Sequence, residues 1–376
     1  MSVPLTRRNL FHEKGKLALS VAGVAAALAL ILLLLGFREG LYATLAAFVN
    51  NVGADLIVAQ SGTQGMFTSD SVVPLGLHDQ AATAVNAAEA GHIIVAGIIF
   101  TRKGTKTPVL LVGYDPATTF GSPWNIGQGR GLDVGPSSTA NSEILLDTWL
   151  AQRNGIAVGD TVDVLGQAFT VVGLTRETAS WMSPYVFISL DAAASALGLN
   201  NMVSYHLLRL PEGVNPAAAI TIIEREVPGI AALTPADIAA ADQRVLATVM
   251  ATPLNVMIFI GVVIGVAVMG LTAYTAVTDQ MREYGVLKAI GVGGRRLAWL
   301  VTAETLYRAV MGFVVGIGLA YAAAALIMAI WPQFNIVIRP GTVAQAGTLA
   351  VLMTILAALL PIYRLNQVDP LLVFKQ

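Results

Sequence analysis

The sequence predicts an α-helical membrane protein with four transmembrane helices and a mixed α/β extracytoplasmic domain inserted after the first helix. Three observations predict it. Of the 376 residues, 55% are hydrophobic and only 12% charged, and a mean hydropathy of +0.70 is too apolar for an ordinary soluble fold. Four stretches, residues 17–37, 245–278, 309–338 and 340–364, are free of charge, the last up to its final arginine. Each reaches the length of about 20 residues that a helix needs to cross roughly 30 Å of hydrocarbon. Their spacing is unequal: one run, a long mixed segment, then three runs close together.

The first run follows Arg7, Arg8, Lys14 and Lys16, as a secretory signal would. Its apolar core is longer than a usual signal core, and "LLLLGFREG" offers no small-x-small cleavage site, so it is expected to stay as an anchor. Lys and Arg concentrate beside span ends on the cytoplasmic side. The N-terminus supplies the four just named, the loop after the second run Arg282, Lys288, Arg295 and Arg296, and the tail Arg364 and Lys375. The opposite side has only Arg38, Arg244 and Arg339 near the membrane. A multi-pass protein with both termini cytoplasmic follows, and the membrane expected for it is the bacterial inner (cytoplasmic) membrane. Its expected organisation is a cytoplasmic amphipathic segment (1–16), spans at 17–37, 251–278, 297–331 and 341–363, and an extracytoplasmic domain at 38–250. A cytoplasmic coupling helix and loop (279–296), a short outer loop (332–340) and a cytoplasmic tail (364–376) complete it.

Within the outer domain, "EILLDTWLAQRNGIAVGDTVDVLGQAFTVVGL" reads as a short strand, a helix starting near Asp147, and a hairpin with a Gly-Gln turn. "SPYVFISL" reads as a strand, and Asp191 as the cap of the helix "DAAASALG". "SGTQGMFTSD" and "GPSSTANS" read as loops. Residues 235–249 have helical spacing and are expected to run on into the second span, a stiffer connection than a glycine linker.

Several chemistries are excluded. A net charge of −1 gives no electrostatic footprint for nucleic acid. The absence of cysteine removes disulfides, thiolate metal sites and Cys nucleophiles. A phosphate-cradling G-x-x-x-x-G-K-[ST] loop is missing, because Gly15-Lys16 is followed by Leu17 in the first apolar run. "GQGRG" at residues 127–131 lacks dinucleotide-motif spacing and reads as a plain turn. His12, His78, His92 and His206 never pair at a metal-helix spacing, so structural or solvent roles are expected for them. With no G-x-S-x-G elbow either, no catalytic, cofactor-binding or metal residues are expected, and the chain is not read as an enzyme.

The concentrated charge lies in "MREYGVLKAIGVGGRRLAWL". It begins as an amphipathic helix, with Val286, Leu287 and Ile290 on one side and Arg282, Glu283 and Lys288 elsewhere, and is then broken by Gly291, Gly293 and Gly294. Two readings stand: a short helix that docks into a soluble partner, or an ordinary positive-inside loop with helix caps.

"REYGVLKAIG" resembles the R-E-x-G-[VIL]-L-[KR]-A-[IL]-G signature of permease subunits in the FtsX/MacB superfamily, the type VII ABC transporters. "NLFHEKGKLALSVAGVA", "WLAQRNGIAVGDTVDVLGQAFTVVGL" and "PIYRLNQVDPLLVFKQ" resemble that family's first-span approach, outer-domain segment and tail. The resemblance implies four spans, pairing with a second copy, and a separate ABC ATPase in two copies that binds ATP and Mg. It makes Arg282, Glu283, Gly285, Leu287, Lys288, Ala289, Ile290 and Gly291 the ATPase-coupling element, with Arg282 and Glu283 forming charge pairs and Leu287 and Ile290 filling an apolar groove. "GFREGLYATL" and "SGTQGMFTSD" look most like the haem-efflux and glycolipid-export branch, which implies an amphipathic substrate such as haem, lipid or drug. The alternative within the family is a mechanotransmitter that regulates an outer partner without transport. Membrane lipid and a membrane-fusion or adaptor protein are further candidate partners.

Inside the membrane, Glu304 and Arg308 stand four apart on one helix face and are expected to pair, or to sit near the cytosolic surface. Gly261 with Gly265, and Gly312 with Gly316, carry the small-xxx-small spacing of close helix contacts. Phe37, Leu41, Met250 and Met257 are the candidate substrate groove between the first two spans.

Overall fold

The computed structural model describes residues 14–67, 70–134, 139–178, 183–331 and 334–366. Most of the N-terminal segment 1–16, with His12, and most of the tail 364–376 lie outside the described residues. The chain divides into a helical unit (Met1–Gly40, Met250–Trp331, Ile336–Gln376) and an α/β unit (Leu41–Val249, Pro332–Asn335). In chain order the described helices are α1 (Lys14–Asn50), α2 (Leu77–Ala84), α3 (Thr148–Asn154), α4 (Leu190–Leu197), α5 (Pro216–Glu226), α6 (Pro235–Asp279), α7 (Met281–Ala289), α8 (Gly294–Ile330) and α9 (Pro340–Asn366).

In the helical unit, α1, α6, α8 and α9 are long and apolar enough to cross a membrane. The most apolar window of α1 is 56% buried, against 28%, 17% and 33% for the other three, so α1 is the helix the rest pack around. Val24, Leu28, Ile31, Leu32 and Leu35 of α1 meet Met269 of α6, Ala309 and Ala320 of α8, and Ala346 and Met353 of α9. Lipid tails are as apolar as leucine, so burial from water does not drive this contact and close packing has to. Small residues permit it. A Cβ built on Gly312 would stand 2.4 Å from Val24 Cγ1, one on Gly316 3.0 Å from the Ala25 carbonyl oxygen, and one on Gly265 2.0 Å from Met353 Cε. Gly261 is looser, with Ile31 Cγ1 at 3.4 Å. All four glycines singled out by spacing therefore lie at helix contacts within one chain.

The α/β unit is built on strands β1 (Leu56–Gln60), β2 (Val73–Pro74), β3 (Glu89–Arg102), β4 (Thr105–Tyr114), β5 (Ile126–Gly129), β6 (Glu143–Asp147), β7 (Thr161–Val164), β8 (Gln167–Thr175), β9 (Tyr185–Ser189), β10 (Met202–Val203), β11 (Tyr205–Arg209) and β12 (Ile230–Leu233). Ten of them form one sheet in the order β12-β1-β11-β3-β4-β9-β6-β8-β5, with β7 paired to β8, while β2 and β10 pair separately. Most pairs are antiparallel, but β4–β9 and β6–β8 are parallel. Helices α2 and α5 cover the end built from β1, β11 and β12, burying Ala81, Val85, Ala219 and Ile223 against Leu56, Val58, Leu208 and Ile230. Helices α3 and α4 cover the other end, where Leu150, Ala151, Ala192 and Ala193 meet Ile144, Leu146, Phe169 and Ile188.

Local chemistry explains most boundaries. Asp147 caps α3 by accepting the Trp149 N–H, and Gly155 ends that helix in the left-handed region at φ 61°. The hairpin β7–β8 turns at Leu165 and Gly166, both with positive φ, as a tight two-residue connection requires. Two expectations are corrected. The cap of α4 is Ser189, whose hydroxyl accepts the Ala192 N–H, so Asp191 lies inside the first turn, where a negative charge still suits the helix dipole. "GQGRG" is not a plain turn: residues 126–129 form the edge strand β5, with a register shift on β8. At Gly129 (φ 76°) a Cβ would stand 2.2 Å from the Val172 carbonyl oxygen, so glycine permits backbone contact here rather than a turn.

Residues 235–249 do run on into the second span, for α6 is unbroken from Pro235 to Asp279. Its outer portion is clamped within the α/β unit by Asp242, a fully buried carboxylate that accepts the Met66 and Phe67 N–H groups at 2.9 and 3.1 Å. Pro253 leaves one helical carbonyl of α6 without its usual donor.

Replacing Gly312 by alanine is expected to destabilise the helical unit by about 1–3 kcal/mol through overpacking against Val24. Gly318→Ala, where a Cβ would meet nothing within 4 Å, is expected to leave stability unchanged or slightly raised. Unfolding of both variants in detergent micelles checks the contrast.

Candidate functional site

The segment with the concentrated charge folds as α7, a helix of nine residues between two spans. Glu283 lies in its first turn and Lys288 in its last, each at the end of the helix dipole that favours its charge. The helix ends in a Schellman turn. The Val292 N–H reaches the Leu287 carbonyl at 3.0 Å, and the Gly291 N–H reaches Lys288 at 3.1 Å. Gly291 sits at φ 92°, a conformation that a side chain would strain, which explains the glycine at that position.

The two faces of α7 differ. Tyr284 and Gly285 are buried, and Tyr284 packs with Val277 of α6, Leu297 and Val301 of α8, and Leu365 of α9. Leu287 and Val292, the apolar pair across the Schellman turn, pack against the same cluster. Arg282, Glu283, Val286, Ala289 and Ile290 are exposed, Ile290 to 72%. This corrects one expectation. Leu287 is half-buried against its own chain, and the apolar residues offered outward are Val286 and Ile290, one helical turn apart and in line with Arg282.

Beneath α7 lies the charged pair of α8. Arg308 Nη2 donates to Glu304 Oε1 at 2.6 Å, and Nη1 donates to the Thr272 carbonyl of α6 at 3.4 Å. Both side chains are largely removed from solvent, 14% and 10% exposed. The Tyr284 hydroxyl lies near the Glu304 carboxylate, and burial together with that neighbouring charge pushes its pKa up. The pair therefore does more than share a helix face: it binds the foot of α7 to α8 and α6. Tyr284 was not singled out by the sequence, where it occupies the variable position of the signature. An aromatic flanked by polar residues at an i−20 distance from a span glutamate carries no local signal of their contact.

The candidate groove residues do not share one environment. Leu41 is buried, at 4% exposure, and so does not line an open surface; Phe37 and Met250 are half-buried, and Met257 is exposed.

Three histidines that show no metal-helix spacing in the sequence are brought together in the α/β unit. His92 on β3 stands directly opposite His206 on β11, and His78 in the first turn of α2 lies over both. Ring centroids are 5.2 Å apart for His78–His92, 5.3 Å for His78–His206 and 6.3 Å for His92–His206. Burial lowers the pKa of all three, that of His206 to about 4, and the neighbouring imidazoles lower His92 and His206 further. A search for helix spacing in the sequence misses such a set, because its members come from three elements far apart in the chain.

Four helices able to span a membrane, a large folded domain after the first and a short two-faced helix between the second and third define a multi-pass membrane protein. Residues 17–226 match the MacB-like periplasmic core domain, and residues 255–370 match the FtsX-like permease C-terminal family. The chain belongs to this MacB/FtsX-type family of ABC transporter permeases, with a periplasmic domain after its first span and its ATPase not among these residues. It is 24% identical over 374 residues to an uncharacterized ABC transporter permease of Mycobacterium tuberculosis, covering 96% of each chain. It is 23% identical over 393 residues to the macrolide export ATP-binding/permease protein MacB of Rhodospirillum rubrum, covering 97% of this chain and 58% of that one. The periplasmic region of MacB from Actinobacillus actinomycetemcomitans superposes with a TM-score of 0.39 at 11% identity, over 52% of this chain and 95% of that one.

Glu304→Ala is expected to cost about 3 kcal/mol, because it strands the Arg308 guanidinium without its partner. Glu304→Ala with Arg308→Ala is expected to cost less than the sum of the two single changes, and a double-mutant cycle of unfolding in detergent measures the difference.

Proposed function

We propose that the exposed face of α7 seats this permease on a separate ABC ATPase, and that two copies of each chain form an exporter or extruder for an amphipathic substrate. The observation that carries the reading is the division of α7: Arg282, Glu283, Val286 and Ile290 face outward, while Tyr284 and Gly285 anchor the helix to the spans. Ordinary positive-inside loops need no buried foot. An arginine, a glutamate and two apolar side chains in one small patch suit a protein groove, where charge pairs set the register and the apolar pair supplies contact area.

ATP and Mg would be bound by the partner, whose closure pushes on α7. Tyr284 passes that push to Glu304 of α8, and the Arg308 contact with Thr272 passes it to α6. Because α6 is a single helix up to its Asp242 clamp, displacement of its inner end is carried to the residues that hold the periplasmic domain. On this reading both termini are cytoplasmic, the membrane is the bacterial inner membrane, and substrate is taken from the outer leaflet or outer surface. Haem, lipids and drugs have the required amphipathic character, and macrolide export in the MacB relative is transport of the same kind.

Reversing both charges, Arg282→Glu with Glu283→Arg, is expected to leave the chain inserted and its melting in detergent unchanged while weakening retention of the ATPase at least about tenfold, the effect of a few lost charged contacts. Gly285→Trp, which forces bulk beneath α7, is expected to abolish stimulation of ATP hydrolysis. Co-purification and ATPase assays in nanodiscs read both outcomes. Wild-type retention and stimulation in both variants would refute the docking assignment.

A further inference from the structure

The histidine cluster of the periplasmic domain has the parts of a metal centre. One ring nitrogen from each of His78, His92 and His206 lies within 4.8 Å of the other two. The Nδ1 atoms of all three are buried and carry no hydrogen bond. A buried polar atom without a partner costs free energy, and three such imidazoles brought together from separate elements suit one common partner. His206 makes its chemical role explicit. Its Nε2 lies 3.2 Å from the Pro74 carbonyl oxygen. A carbonyl accepts only, so Nε2 carries the proton and Nδ1 presents its lone pair. Backbone support of one imidazole nitrogen while the other faces the ion is the usual outer support of a metal-bound histidine.

The scaffold holds these donors firmly. His92 and His206 are cross-strand neighbours in the central sheet, which fixes their side chains on one face. Pro74, which orients His206, is held by its own pairing with Met202. His206 is fully buried, whereas His78 and His92 keep some exposure, so one side of the cluster is open. His92 also lines a cleft of about 580 Å³ together with Asp115, Asp133 and Asp191, whose carboxylates favour the approach of a cation.

We propose that His78, His92 and His206 bind one borderline divalent transition-metal ion, of the zinc class, with a fourth position open to water. Imidazole nitrogens alone, without thiolate or clustered carboxylate, select zinc, copper or nickel over magnesium and calcium. A tetrahedral ion with bonds of about 2.0 Å holds its nitrogens about 3.3 Å apart, so the rings need to close by small side-chain rotations. The bound ion joins α2 to β3 and β11, two strands already hydrogen-bonded to each other, beside apolar contacts around Ala81 and Leu208. Its consequence for the domain is a stability that rises with metal concentration.

The test uses the full chain in detergent, purified without a histidine tag, stripped with a chelator and then offered zinc chloride. One zinc per chain after gel filtration, a melting temperature raised by zinc but not by magnesium, and the intense visible bands of tetrahedral cobalt on substitution are expected. His78→Ala, on the more open element, is expected to keep the metal-free melting temperature and lower zinc affinity at least about tenfold, the loss that removing even a supporting residue of a metal site brings. His92→Ala is expected to do the same. If wild type takes up no zinc, or if both variants fold and bind it as wild type does, the assignment is wrong. If either variant fails to fold, the wild-type stoichiometry and cobalt spectrum decide the matter alone.

Discussion

A glutamate and an arginine held away from water must find partners, and where they find them decides how the helical unit is wired. Insertion of a lone charge at mid-membrane costs roughly 2.5–3.5 kcal/mol. Glu304 and Arg308 meet that demand by pairing with each other, by a bond to the Thr272 carbonyl, and through the neighbouring hydroxyl of Tyr284. The last of these gives α7 a fixed foot. A helix of nine residues is too short to hold its shape in isolation. It is stable here because one face is packed into the ends of α6, α8 and α9. The opposite face carries exposed charge and two exposed apolar side chains, Val286 and Ile290.

The same economy appears in the way α1 is used. Glycines on α6 and α8 bring their backbones against α1 and α9, and the resulting contacts depend on shape more than on apolarity. Rigid packing of this kind moves as a unit. Asp242 serves the corresponding purpose in the periplasmic domain, where a buried carboxylate fastens the outer part of α6 to the 61–67 segment through two backbone donors.

Much of the candidate site was legible in the residues of one segment. Arg282, Glu283 and the glycines at 291, 293 and 294 stand out in a chain so poor in charge, and the helix and its break follow from local propensity and left-handed geometry. Which apolar residue faces outward was not legible. Leu287 and Ile290 are three apart and look equivalent on a helical wheel, but the Schellman turn brings Val292 back onto Leu287 and leaves Ile290 beyond it. Likewise Leu41 has the apolar character of a groove residue, and only its surroundings reveal that it is buried.

The sequence by itself determined the four spans, the insertion of a domain after the first, the family signature, and the short elements whose caps are adjacent in the chain, such as Asp147 with α3. These depend on apolar run length and on contacts within a few residues, and both are written locally. Only the tertiary structure decided that "GQGRG" is a strand edge, that Tyr284 meets Glu304, and that three histidines from α2, β3 and β11 converge. Each of these rests on strand register or helix packing between residues tens to more than a hundred positions apart, and such pairings are settled by the energy of the assembled core rather than by any neighbour in the chain.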